Sequence, residues 1–311
     1  MTILVTGSRG KTASELTSML TPQYPVLIAS RSLDKSCAVP MAKFDWSDSA
    51  TYGNPFEHEQ AKRSPITAVY LVGLDTEDGA DLVMSFVHFA IARGVRRFVL
   101  LTATEAEEGG LLLGKAHAEL HRLGDAGTIE WAVVRPHFFV ENFIEKGYGG
   151  YQWQAIMKEG RIYSAAGDGR IPWLSARDIA AVAYRALIDE KPHNTDHYIT
   201  GPQSLSYDDV AAIFSGVLGR EIVHIRKSPD ELVKFHVDSG LPESFAQILA
   251  ALDQKFAGGY GGRTPDVVEQ VTGRPPRTLK EFLVDNKHEF DEAQRTALCV
   301  KFLALAKVMI L

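Results

Sequence analysis

The sequence predicts an α/β protein built on a doubly wound parallel sheet, followed by a smaller C-terminal α/β lobe. Three observations carry that prediction. Short apolar runs alternate with helix-patterned segments through the first 135 residues, as strands joined by crossover helices do. The runs Ala-Val-Tyr-Leu-Val at 68–72 and Phe-Val-Leu-Leu-Thr at 98–102 show no alternation of polarity, which suits strands covered on both faces. The first run leads straight into a glycine turn that opens a helix, the arrangement that begins a Rossmann-like nucleotide fold.

Taken in order, the strands are expected at Ile3 to Thr6, Val26 to Ser30, Lys43 to Asp45, Ala68 to Val72, Phe98 to Thr102 and Trp131 to Arg135. Helices fall near Thr12 to Leu20, Ala80 to Arg93 and Gly114 to Leu123, where apolar residues recur at helical spacing. After Pro136 the pattern loosens into an aromatic stretch, a turn at Ala166-Gly167-Asp168-Gly169 and a helix from Ala176 to Ile188. The smaller lobe then takes a strand at His197 to Thr200, a helix opened by Ser206 with acidic residues in its first turn, a strand at Glu221 to Ile225, and helices after Pro229 and Pro242. The expected division is a nucleotide-binding domain over 1–136, a substrate lobe over 137–290 interleaved with the sheet, and an extension over 291–311 of unassigned role.

Composition narrows the function. Hydrophobic residues make up 45% and charged residues 23%, the balance of an ordinary globular protein. Lys plus Arg number 33 against 39 Asp plus Glu, a formal net charge of −6 without a long basic run, so nucleic acid is not an expected partner. Two cysteines, Cys37 and Cys299, are too few for a disulfide framework. The opening MTILVTGSRG reads as a strand and not as a signal peptide, which makes the cytoplasm the expected location. No apolar run reaches the roughly 18 to 20 residues of a membrane span. The apolar tail from Leu298 to Leu311, broken by Lys301 and Lys307, reads as an amphipathic packing or interface helix. Homo-oligomerisation is left open.

The turn reads Gly7-Ser8-Arg9-Gly10-Lys11-Thr12-Ala13. Glycine is needed where backbone bends sharply or approaches a phosphate, and a helix N-terminus adds unpaired N–H groups and a positive dipole end. A pyrophosphate fits such a place. The Gly-x-x-Gly-x-x-Ala spacing departs from the commonest dinucleotide fingerprint, and the alternative is a tight turn with no ligand. At the end of the second strand, where an acidic residue usually holds a ribose 2′-hydroxyl, the chain has Ser30-Arg31-Ser32. Arginine with flanking hydroxyls suits a 2′-phosphate, so NADP(H) is the expected cofactor. Arg9 is placed to reach the same phosphate and Asp45-Trp46 to sit against adenine. Val72, Gly73, Thr102 and Pro136, at the ends of the following strands, complete the expected cofactor contacts.

A proton donor is missing. Reductases of the short-chain class commonly use Tyr-x-x-x-Lys, and none of the ten tyrosines has lysine four residues on. The helix where the pair would lie offers His117 instead, a contact for cofactor or substrate or an ordinary helix residue. His117 and His121 share a helical face, but the zinc pattern is not met and no metal is expected. His193 and His197 read as exposed loop residues. Thr102 and Thr104 end the fifth strand, where hydroxyls face the cleft. With His117 they are the catalytic candidates. No Ser-His-Asp or Cys-His arrangement stands out.

Beyond Arg135 the chain runs Pro136-His137-Phe138-Phe139-Val140-Glu141-Asn142-Phe143, then Tyr151, Trp153 and, past the glycine-rich turn, Trp173. Such aromatics suit a pocket for a flat apolar ligand, oriented by Asn142 and Glu141. The substrate candidates are Phe138, Phe139, Asn142, Tyr151, Trp153 and Trp173; the alternative for each aromatic is the structural core.

The segments TGSRGKTA, AVYLVG, RRFVLLTA, WAVVRPHFFVENF, YSAAGDGRIPWLSARDIAAVAYRAL and GPQSLSYDDVA resemble the NmrA-type atypical short-chain dehydrogenases, and among them the fungal ergot-alkaloid festuclavine and agroclavine dehydrogenases. The resemblance covers roughly the first 290 residues, and its most specific pieces are the Arg-Gly-Lys-Thr-Ala turn and the Gly-Asp-Gly-Arg-Ile-Pro segment. It implies NADP(H) and reduction of the iminium formed when a tetracyclic indole alkaloid closes its last ring. His137-Phe138-Phe139 stands where the family has a Thr-Trp-Phe-like run, Gly147 to Gly150 is an altered loop, and 291–311 runs past the family's end. The missing tyrosine agrees with the implied chemistry, because an iminium already carries the charge that hydride neutralises. Two other readings of the same features are a dinucleotide-sensing regulator without turnover and a reductase of quinones or phenols.

Overall fold

The computed structural model describes residues 1–7, 10–34, 36–146, 150–261 and 264–291. In chain order its elements are β1 (Thr2–Thr6), α1 (Lys11–Leu20), β2 (Val26–Ser30), β3 (Met41–Lys43), α2 (Asn54–Glu57), α3 (Glu59–Arg63), β4 (Ile66–Val72), α4 (Gly79–Ile91), β5 (Arg97–Leu101), α5 (Gly114–Asp125) and β6 (Glu130–Pro136). They continue with α6 (Tyr151–Glu159), β7 (Arg161–Ser164), β8 (Ile171–Pro172), α7 (Ala176–Ile188), β9 (Thr195–Ile199), β10 (Ser204–Leu205) and α8 (Tyr207–Leu218). The last are β11 (Val223–Arg226), α9 (Pro229–Asp238), α10 (Glu243–Ala257), α11 (Val267–Thr272) and α12 (Leu279–Asp285).

These elements form two compact units. The first comprises Met1–His137, Ala176–Thr200 and Pro265–Pro276. Its sheet has seven strands in the order β3-β2-β1-β4-β5-β6-β9, all paired in parallel. The non-alternating strands are buried on both faces, as their composition demands. On one face Leu4, Leu27, Val69, Leu71, Phe98, Leu100 and Val133 pack with Val83, Phe86 and Val87 of α4 and Leu120 of α5. Tyr70, one residue out of phase, points to the other face and reaches Thr12 of α1. There α1 packs on α7.

Three sequence expectations change in this unit. The third strand is Met41–Lys43 and not Lys43 to Asp45. The Phe44 N–H still reaches the Ser30 carbonyl of β2 at 2.9 Å while its ring packs with Trp46, Tyr52 and Phe86, and the ladder ends because the Asp45 N–H goes to the Thr51 hydroxyl at 2.9 Å. The helix at Ala176–Ile188 and the strand expected at His197 to Thr200 and found at Thr195–Ile199, both counted with the interleaved smaller lobe, belong to the first unit, where β9 continues the sheet beside β6. His193 lies in the loop before β9 as expected, though half-buried, whereas His197 is not an exposed loop residue: it is on β9, only 8% exposed, and its Nε2 meets His193 Nδ1 at 2.8 Å.

The second unit comprises Phe138–Ser175, Gly201–Thr264 and the chain from Arg277. It carries two small two-stranded sheets, β7 with β11 in parallel and β8 with β10 antiparallel. Its core joins Phe143, Ile156, Ile162, Trp173, Tyr207, Val210, Phe214, Phe256 and Phe282. Capping boxes at Ser206/Asp209, Ser228/Glu231 and Thr278/Glu281 start α8, α9 and α12. The strand expected at Glu221 to Ile225 is displaced to Val223–Arg226. No helix among the described residues is long and apolar enough to cross a membrane. Residues 292–311, and with them the expected tail helix, lie outside the described residues.

Candidate functional site

The strand order reverses direction between β1 and β4: β2 and β3 lie to one side, β5 and β6 to the other. At such a switch point the connections diverge and leave a crevice beyond the carboxyl ends. Gly7 and Val72–Gly73 stand there. Gly7 has φ +74°, and a Cβ on it would lie 2.8 Å from the Val72 Cβ. Its carbonyl accepts the Gly10 N–H at 2.7 Å, closing the turn before α1. The first turn of α1 has neither a side-chain cap nor an acidic residue, so its N–H groups and dipole are available to an anion. A Cβ on Gly73 would meet Val83 Cγ2 at 2.7 Å and Leu113 Cδ2 at 3.0 Å. Glycine at both strand ends therefore lets the main chain form the crevice wall.

The side chains around the turn are fixed from below. The Thr6 hydroxyl donates to the Tyr70 carbonyl at 3.1 Å and accepts the Val72 N–H at 2.7 Å, locking the ends of β1 and β4 together. The Tyr70 hydroxyl donates to Thr12 Oγ1 at 3.1 Å. Thr12 is only 3% exposed, its side chain turned into the core beneath the turn. Lys11 is the first residue of α1, one before the expected start at Thr12. Arg9 lies outside the described residues.

At the end of β2, Ser30 is buried and Arg31 exposed. Arg31 makes no ion pair among the described residues, and Lys43 Nζ donates to its carbonyl. A second cation thus stands at the same corner, one that the sequence reading did not single out. Asp45 and Trp46 follow β3. The Asp45 carboxylate accepts the Ser47 N–H at 3.0 Å. Trp46 is only 7% exposed, packs edge-on to Phe44 and Phe86, and donates its indole N–H to the Val72 carbonyl at 3.0 Å. It pins the crevice wall from within the core.

Thr102 and Thr104 follow β5. Neither hydroxyl has a hydrogen-bond partner among the described residues, and both are buried. Main-chain bonds hold them, from Thr102 N–H to the Val134 carbonyl at 2.9 Å and from Thr104 N–H to the Pro136 carbonyl at 3.2 Å. Arg135 grips the Thr104 carbonyl at 2.9 Å and Asp196 at 2.8 Å. His117 is 1% exposed, with its ring 5.9 Å from Trp131. Its nearest carboxylate, Glu108, is 4.0 Å away and binds His121 instead, at 2.7 Å. Burial holds the His117 pKa below the ordinary histidine value, which favours the neutral ring. Neither ring nitrogen is bonded among the described residues.

The substrate candidates all lie in the second unit. Trp173 is core: 2% exposed, with ring centroids of Phe143, Tyr207 and Phe138 at 4.7, 5.4 and 5.5 Å. Phe138 also packs on Phe256 at 5.4 Å, and Phe139 bridges to Leu174. Trp153 spends its N–H on the Glu289 carbonyl at 3.0 Å. Glu141 accepts the Ser175 hydroxyl at 3.0 Å, and the Asn142 N–H goes to the Phe139 carbonyl at 3.2 Å. Tyr151 lies 4.2 Å from the His236 ring.

Asp253 was not singled out from the sequence. It stands on the inward stripe of α10 with Ala246, Ala250 and Phe256, where an apolar residue is expected. That break in the stripe was the available signal. Its Oδ2 accepts the Ala165 N–H at 2.7 Å, and burial pushes its pKa up to about 7.

No family model matches the chain. It is 39% identical over 289 residues to an agroclavine dehydrogenase of Claviceps fusiformis, covering 93% of this chain and 98% of the relative. To the festuclavine dehydrogenase of Aspergillus fumigatus it is 40% identical over 291 residues, covering 92% and 98%. Among solved structures, the triphenylmethane reductase of Citrobacter sp. complexed with NADP(H) superposes with a TM-score of 0.75 at 22% identity, covering 91% of this chain and 99% of that one. At that identity the likeness is one of fold.

Proposed function

The chain belongs to the agroclavine and festuclavine dehydrogenase family, a family of oxidoreductases, and from that premise we propose that it is an NADPH-dependent reductase acting on the iminium carbon of a polycyclic indole alkaloid of the clavine series. The observation that carries the proposal is identity near 40% along almost the whole length of these relatives. The crevice supports the cofactor half. Gly7, Gly10 and the first turn of α1 suit a pyrophosphate, and Arg31, with Ser30 beside it and no acid at the end of β2, suits a 2′-phosphate. Gly73, Thr102 and Pro136 line the remaining strand ends. NADPH, when bound, supplies the hydride.

The residues that are missing support the substrate half. A ketone needs a proton along with hydride; an iminium does not. The chain has no Tyr-x-x-x-Lys pair, and the buried His117, whose neutral form is favoured, offers with Thr102 and Thr104 hydrogen bonds for orientation more than a strong acid. In this reading those three residues position the reactants.

Two results are expected. Arg31→Ala weakens NADPH binding by about one to two decades, the value of a charge-assisted contact of roughly 1.5 to 3 kcal/mol, and leaves NADH binding nearly unchanged. Titration of both cofactors against wild type and variant checks this; equal affinities in wild type would remove the basis for NADP(H). Secondly, no Tyr→Phe change removes turnover, whereas loss of a true general acid would cost about 10² to 10⁴ in rate. Tyr70→Phe, Tyr151→Phe and Tyr207→Phe, assayed for kcat with folding checked, test it. A regulator that binds NADPH without turnover would show the first effect and no product at all.

A further inference from the structure

We propose that Arg135 is a positioning residue: with Asp196 it fixes the Thr104 end of β5, so that the Thr104 hydroxyl is held for the nicotinamide half of NADP(H). The inference rests on the cofactor reading above and extends it to a residue that acts through another. All the groups involved belong to the first unit. Its ground is the way β5 ends. The Thr102 N–H donates to the Val134 carbonyl of β6 at 2.9 Å, and in a parallel ladder the return bond to the Thr102 carbonyl comes from two residues further along the partner strand. That residue is Pro136, which has no N–H. Past this break the Thr104 N–H still reaches the Pro136 carbonyl at 3.2 Å, whereas the Thr104 carbonyl is taken by a side chain, Arg135 Nη2 donating to it at 2.9 Å. Arg135 Nη1 donates to Asp196 Oδ2 of β9 at 2.8 Å.

One guanidinium thus bridges the end of β5 and β9, using two prongs that its planar fork places at a fixed spacing. Stability does not explain the bridge. The Arg135 side chain is 13% exposed and its Nε is buried without a partner among the described residues, and buried ion pairs are often no more stabilising than apolar side chains of the same volume. What the bridge fixes is direction. With its N–H and its carbonyl both held, residue 104 has a set heading for its Cβ, and its hydroxyl, like that of Thr102, is buried without a hydrogen-bond partner among the described residues. Native interiors pair nearly all such groups, and two exceptions at the carboxyl end of one strand ask for a ligand. A dinucleotide laid across the switch point has its halves on opposite sides of it. Since Ser30 and Arg31 suit the 2′-phosphate at the end of β2, the nicotinamide half extends toward β5 and β6. Its carboxamide offers both a donor and an acceptor to a threonine hydroxyl. The rival explanation is structural: the fork only ties β9 to β5.

Two ligands separate these explanations: NADP⁺, and adenosine 2′,5′-bisphosphate, which keeps the 2′-phosphate and lacks nicotinamide. Arg135→Met should weaken NADP⁺ binding by about three- to tenfold, the worth of one hydrogen bond, and leave the bisphosphate within about twofold of wild type. Its melting temperature should be equal or higher. Thr104→Ala should show the same selective loss. Adding Arg135→Met to Thr104→Ala should then weaken NADP⁺ by less than about a further twofold, because the contact through which Arg135 acts is already gone. Arg135→Lys keeps a charge opposite Asp196 but not the second prong; it should also lose NADP⁺ selectively, and it decides the matter if Arg135→Met does not fold. Equal weakening of the two ligands, wild-type NADP⁺ affinity in the folded Arg135 variants, or full additivity of Arg135→Met with Thr104→Ala would overturn the proposal. The titrations use no alkaloid. A wild type that binds NADP⁺ but reduces no clavine iminium would therefore refute the proposed substrate, while the role of Arg135 stands or falls on the ligand comparison.

Discussion

Gly7→Ala should abolish NADPH binding at millimolar concentrations and lower stability by about 2 to 5 kcal/mol. Two costs combine. An L-residue at φ +74° is strained by about 1 to 2 kcal/mol. The new Cβ would also lie 2.8 Å from the Val72 Cβ, an atom fixed to the β4 backbone, so relief requires β1 and β4 to move apart. Overpacking of that kind costs about 1 to 3 kcal/mol and displaces the very turn that is to hold the pyrophosphate. Gly127→Ala is the control: φ is +67° but nothing lies within 4 Å of the added Cβ, so strain is added without a clash. It should lose about 1 kcal/mol and bind NADPH as wild type does. NADPH fluorescence titration and thermal melting of both variants check the pair. Equal effects from the two substitutions would show that the close approach to Val72 does not matter.

Trp173→Ala should cost about 3 to 5 kcal/mol, the range for emptying an aromatic site in a core. The residue is 2% exposed and touched by Phe138, Phe143 and Tyr207 rings. Trp173→Phe keeps most of that volume and should cost less than half as much. Denaturant unfolding of the two variants decides between the readings that the sequence left open for this side chain. A stable Trp173→Ala protein with only a raised alkaloid KM would make Trp173 a pocket wall instead of core.

How far the sequence carried this picture depends on where the information resides. Strands β1, β2, β4, β5 and β6 were readable because strands buried on both faces must be apolar throughout. The turn at Gly7 was readable because glycine there is enforced locally, by a positive φ and the approach of Val72. The third strand was misplaced because Phe44 and Asp45 look like its continuation, and only the turn of the Asp45 N–H to the Thr51 hydroxyl, a contact six residues on, shows where the ladder ends. The ring cluster of Phe44, Tyr52 and Phe86 consumes Trp46, which the sequence offers as an adenine contact. That β9 joins the sheet is a non-local fact: the 195–199 segment pairs with β6, about sixty residues earlier, and nothing local to it records that pairing. Asp253 was missed for the opposite reason. Its signal was present, a charge on the apolar stripe of α10, but a stripe is recognised only once the helix phase is fixed.

For the proposed activity the most direct measurement is isotopic. Protein, deuterium-labelled NADPH and an aldehyde that closes to the tetracyclic iminium are mixed, and the product is read by mass and NMR. The account predicts a reduced clavine with one deuterium on the former iminium carbon, formed only with the protein present and slowed by Arg31→Ala at low cofactor concentration. A folded, NADPH-bound protein that yields no deuterated clavine would contradict it.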